Sequence, residues 1–134
     1  MSTIASVNAN QERKCEGRNA SAATKAYSKK TVMDKIAMLT QILEQNPADA
    51  FARYGLAMEH ANQGQTEPAL KEFDRLLSNH PDYTAGYFMA AQTLVKAGRT
   101  DEAKARLEQG IASAQRTGNQ HALSEMEALL MELE

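Results

Sequence analysis

From Thr31 to the end of the chain, large apolar side chains recur at intervals of three and four, the spacing of one buried helix face. Ile36, Leu39 and Leu43 form the first stripe, with Met38 and Ile42 beside it. Thr31 and Asp34 make a Thr-x-x-Asp start, which predicts a helix over 32–45. Pro47 stops it, because Asn46 before a proline is pushed out of helical geometry. The pattern then predicts a helix over 49–62 ending at Gly64, and another over 66–79 with Pro68 in its first turn, where a missing N–H is harmless. After Pro81 the cycle repeats. A helix over 83–96 leads to Gly98, and a helix over 100–114 follows, with Thr100 and Asp101 as its cap. "RTGNQ" breaks the chain before a last amphipathic helix over 120–133, carrying Leu123, Met126, Leu130 and Leu133. The expectation is an all-α protein of six antiparallel helices. Val-, Ile- and Thr-rich runs that would suggest a sheet are missing.

Two of these stretches match each other. "GQTEPALKEF" at 64–73 and "GRTDEAKARL" at 98–107 place glycine, threonine and alanine in register at a period of 34 residues. A helix–turn–helix unit of that length cannot bury its apolar face alone, so neighbouring units must stack. Residues 47–114 resemble two tandem tetratricopeptide repeats. Leu56, Ala57, His60, Ala69, Phe73 and Pro81 fall at the family's signature positions in the first unit; Tyr87, Ala90, Ala91, Leu94, Ala103 and Leu107 do so in the second. The chain departs from the pattern at Arg53 (tryptophan in the family), His60 (tyrosine), Gly110 (alanine) and Gln115 (proline). Phe51 or Tyr54 is the candidate for the bulk that Arg53 does not supply. The resemblance implies a short right-handed solenoid: a half-repeat helix at 31–46, repeats at 47–80 and 81–114, and a capping helix at 115–134. The capping helix would turn Glu125, Glu127, Glu132 and Glu134 outward.

Residues 1–30 read differently. They hold almost no large apolar side chains and carry +4, from Arg13, Lys14, Arg18, Lys25, Lys29 and Lys30 against Glu12 and Glu16. Such a segment cannot offset its ordering entropy by burial, and the expectation is a disordered basic tail. Glu12 and Glu16 argue against a transit peptide. The remaining residues carry −6 within a total of −2, which is not the charge pattern of a nucleic-acid-binding domain. The single cysteine, Cys15, excludes an intramolecular disulfide and a four-cysteine zinc site. The absence of a membrane-length apolar run and of a signal-type h-region predicts a cytoplasmic protein with no membrane partner.

Candidate chemistry is sparse. No phosphate-cradling glycine motif, H-E-x-x-H pair or nucleophile elbow occurs, and His60, His80 and His121 lack metal-ligand spacing. The sequence therefore predicts no enzyme, no cofactor and no metal. His60 reads as a packed or hydrogen-bonded group, and Asp101 and Glu102 as a helix cap. The family resemblance implies where binding would sit, since the first helix of each unit lines a concave groove. Its groove positions fall on Phe51, Tyr54, Gly55, Met58 and Asn62, then on Ala85, Phe88, Met89, Gln92 and Lys96. The Lys, Asn and Arg set with which the chaperone-binding subgroup clamps a terminal carboxylate is absent there. An apolar groove implies a peptide or helix of another protein as partner, with little salt dependence, because Lys96 is the only charge placed in it. Homo-oligomerisation through the groove or an array end is the alternative, and a domain of a larger assembly with a basic contacting tail is the third reading. A last helix folded over the groove would instead make these side chains core.

Overall fold

The computed structural model describes residues 34–134. The tail at 1–30 and the Thr31 start signal lie outside the described residues. Six helices follow in order: α1 (34–45), α2 (Ala50–Asn62), α3 (Thr66–Asn79), α4 (Thr84–Lys96), α5 (Thr100–Thr117) and α6 (Gln120–Leu133). No strand occurs among the described residues.

The turns explain the regularity. At Gly64 and at Gly98 the chain takes a positive φ, 76° and 77°, that L side chains rarely adopt. The amide after each glycine reaches back five residues, Gln65 to His60 and Arg99 to Leu94, satisfying carbonyls the helix end leaves open. Gly118 makes the same turn, with Asn119 bonded to Ala114. α5 therefore runs to Thr117, past the predicted end at 114. The repeat's proline is replaced by Gln115, which lets the helix continue until the glycine stops it. The caps divide similarly. Asp49 caps α2 through its side chain, accepting the Ala52 amide at 3.0 Å. The predicted Thr100–Asp101 cap is corrected: Arg99 is the cap residue, without a side-chain cap bond, and Thr100 opens the helix.

Packing follows the small residues. Ala57, Ala69, Ala90, Ala91 and Ala103 are all fully buried, and Phe73, Leu76 and Leu107 fill the space beside them. Alanines at the crossings let helix axes approach closely, and the large side chains then interlock. α2, α4 and α6 make one layer, while α3 and α5 pack behind it. Leu43 of α1 joins Ala52 and Leu56 of α2, with Ile36 and Leu39 partly buried against them. Replacing Ala69 or Ala103 with leucine should cost about 1–3 kcal/mol by overpacking. Thermal melts of both variants check this, and unchanged midpoints would mean that these helices do not pair here.

Arg53 resolves differently from its sequence expectation. Phe51 is 77% exposed and supplies no bulk at the site of the missing tryptophan. Arg53 fills that place itself, its guanidinium bonded to Glu72 at 2.6 Å and to the Pro47 carbonyl at 3.1 Å. Both side chains of the ion pair are largely buried. An arginine stem covers apolar surface while its head finds a carboxylate.

Candidate functional site

The inner layer carries two cavities that meet at Met89. The first, about 340 Å³, is lined by Tyr54 of α2, Ala85, Phe88 and Met89 of α4, and Ala122 and Glu125 of α6 among others. The second, about 270 Å³, lies toward the far ends of α2 and α4, where Met58, Asn62, Met89, Gln92 and Lys96 line it. Eight of the ten sequence-derived groove residues thus fall in one continuous depression. Phe51 and Gly55 stand outside it. Phe51 is exposed away from both cavities, and a Cβ built on Gly55 would meet Leu39 of α1 at 3.4 Å.

The floor is held from below. Tyr54 packs against the Ala57–Phe73 cluster, and its ring lies 5.3 Å from that of Tyr83, tilted at 44°. Burial raises the pKa of the Tyr54 hydroxyl. It also raises that of Tyr83, with Tyr54 and Asp49 adding to the effect. Both phenols therefore stay neutral hydrogen-bonding groups through the physiological range. Phe88 is half-buried against the cluster formed by Leu94, Leu107 and Met126, which fixes its ring while leaving a face open. None of Phe51, Tyr54, Met58, Phe88 and Met89 is buried. α6 stands beside these side chains as a third inner helix rather than lying over them.

A solved protein is similar to this chain in fold and in sequence. The solution structure of a tetratricopeptide repeat domain protein from Salinibacter ruber is 35% identical, with a TM-score of 0.63, covering 66% of this chain and 90% of its own. The chain belongs to the tetratricopeptide repeat family. The family's own model matches residues 61–126. A TPR repeat-containing protein of Pseudomonas aeruginosa is 29% identical over 96 residues, 72% of this chain and 91% of that one. The Yersinia enterocolitica type III secretion chaperone SycD, solved with a peptide of the translocator YopD, shares the fold at a TM-score of 0.70. It is 18% identical, over 84% of this chain and 87% of that one.

Seen as a tetratricopeptide array, the site has a wall that the sequence reading left out. Asn119, His121, Ala122 and Glu125 of α6 complete the larger cavity. Carrying the 34-residue period once more, from Ala85 and Phe88, lands on Asn119 and Ala122 and could have found them. It lands on neither His121 nor Glu125. Glu125 was expected to face outward with Glu127, Glu132 and Glu134; all four are exposed, and Glu125 also lines the cavity, with His121 Nε2 2.5 Å from its Oε1. Lys96 is therefore not the only charge in the depression.

The opposite, convex side offers a cleft of about 330 Å³ between α3 and α5, lined by Glu67, Lys71, Asp74, Arg99, Glu102 and Arg106 among others. Five of its charged side chains bind one another. Arg99 reaches Glu67 at 2.6 Å and Glu102 at 2.8 Å, and Arg106 pairs with Asp74. The bond from Arg99 holds the Glu102 carboxyl below its usual range, and the Glu102 bond raises Arg99. These groups link successive repeats at the surface. His60, half-buried, is hydrogen-bonded through Nδ1 to Gln65 at 2.8 Å. Among the described residues no group of three or more His, Cys, Asp or Glu is arranged to hold a metal ion, and no helix is long and apolar enough to cross a membrane.

Proposed function

We propose that this protein is a non-enzymatic interaction module whose concave depression binds a peptide or helix of a partner protein. One observation carries the reading: Tyr54, Met58, Phe88 and Met89 line two adjoining cavities with their side chains only partly covered. A row of apolar side chains held half-open by the core beneath it suits the apolar face of a partner segment. SycD, with its bound translocator peptide, is an instance of a peptide held by a protein of the same fold.

Aromatic bulk should dominate the affinity. Tyr54→Ala and Phe88→Ala are each expected to weaken partner binding by about 2 kcal/mol, roughly thirtyfold, as for a central hot-spot residue. Titration calorimetry with a captured partner measures this, and wild-type affinity in both variants would place recognition elsewhere.

Self-association is the second reading, supported by the array end. Met38 and Ile42, four residues apart on α1, are 59% and 38% exposed. Two such faces could pair two copies. Light scattering at several concentrations separates the readings, since a constant monomer mass would rule this one out.

A further inference from the structure

We propose that the partner segment places a bulky apolar side chain in the larger cavity and a lysine or arginine beside it, against Glu125. This rests on the groove reading above and adds the chemistry of the ligand. The cavity, about 340 Å³, sits at the low end of ligand-pocket sizes and suits one large side chain rather than a whole small molecule. Tyr54, Ala85, Phe88, Met89 and Ala122 give it an apolar lining. Neither lysine nor arginine lines it, and its carboxylate is Glu125, 43% exposed. The neighbouring His121 carries charge only when protonated. With the imidazole neutral, the rim of the cavity is negative. Ala128 and Glu132 are exposed and continue the same face of α6, at the helical spacings of seven and eleven residues from His121. Glu132, seven residues from Glu125, thus adds a second exposed carboxylate two turns further along the same face of α6. Lys96, the cation of the depression, belongs to the other cavity.

An acidic ligand would bring a carboxylate against Glu125 with no cation to receive it, a repulsion that selects against such partners. A basic residue gains a charge-assisted bond at the rim while its apolar neighbour enters the cavity. The groove therefore reads a cation–apolar pair, the opposite polarity to recognition of a terminal carboxylate.

The test selects random-sequence displayed peptides on the full chain at pH 8 and low salt. Binding of the enriched peptides is then measured by fluorescence anisotropy to wild type, Glu125→Lys, Phe88→Ala and Ala85→Arg. Ala85 is exposed, so Ala85→Arg obstructs the cavity mouth without touching the core, and circular dichroism verifies its fold. Expected are peptides carrying Lys or Arg close to an aromatic, leucine or methionine. Glu125→Lys should weaken them about tenfold, and salt should weaken them for wild type but not for Glu125→Lys. Peptides that need Phe88 and an open cavity but are acidic or indifferent to charge would overturn this inference and leave the groove reading standing. Peptides indifferent to both Phe88→Ala and Ala85→Arg would overturn both. A concentration-dependent dimer abolished by Ala85→Arg would make a second copy of the chain the occupant, and the proposal would fall.

Discussion

Phe73→Ala is expected to destabilise the domain by about 3–5 kcal/mol, the largest effect of any single truncation proposed for this chain. Phe73 is fully buried in α3 between Ala57, Ala69, Leu76 and Ala90, each with no exposed surface. The cost of a large-to-small change depends on how far the surroundings relax into the space. Three of the four other fully buried members of its cluster are alanines, which have no rotamer with which to refill it, so much of the cavity persists. For a domain of about 100 residues, each kcal/mol lowers the melting midpoint by roughly 4–8 °C. A fall of well over 10 °C should appear in a thermal melt followed by circular dichroism. A loss below about 1 kcal/mol would mean that the repeats do not share this core.

Gly110→Leu should cost at least about 3 kcal/mol, at the top of the usual range for overpacking. On helix propensity alone the change should help by nearly 1 kcal/mol, because glycine is poor in a helix interior. The structure reverses the sign. A Cβ at position 110 would lie 2.6 Å from Tyr87 Cβ and 2.5 Å from Met126 Sδ. The methionine end can move, but the tyrosine Cβ is fixed to the backbone of α4. Room can come only from moving α4 away from α5, which also disturbs the hydrogen bond between Tyr87 and the Pro81 carbonyl at 2.7 Å. α4 carries Phe88 and Met89, so the variant should loosen the groove as well as the core. Urea denaturation measures the first effect; an equal or higher midpoint for the variant would show that the three helices do not meet at Gly110.

The two sites differ in how openly the sequence declares them. Phe73 sits on a 3.6-residue apolar stripe and repeats as Leu107 after 34 residues, so its burial follows from pattern alone. Gly110 looked like a lapse from the family's alanine. Its reason is a distance to residues on two other helices, and no periodicity within α5 contains that information.

The same division runs through the site. Eight of the ten residues that the family resemblance put at groove positions line the depression, because side chains at equivalent positions of stacked units point the same way. Gly55 and Phe51 escaped that logic: Leu39 of the half-repeat helix α1 stands against Gly55, and Phe51 is left exposed. The acidic wall escaped it too. Gln115 in place of proline let α5 run to Thr117, and α6 then places the exposed Glu125 at the edge of the cavity.

By itself, then, the sequence determined the helices, their glycine and proline joints, the alanine crossings and the family. These depend on local conformational preference and on a repeat that writes the same contacts twice. Only the tertiary structure decided that Arg53 pairs with Glu72, that Gly110 is a close contact, and that α6 adds a carboxylate to the depression. Those depend on which non-repeating side chains meet across helices, and such meetings are fixed by packing distances that a one-dimensional pattern does not carry.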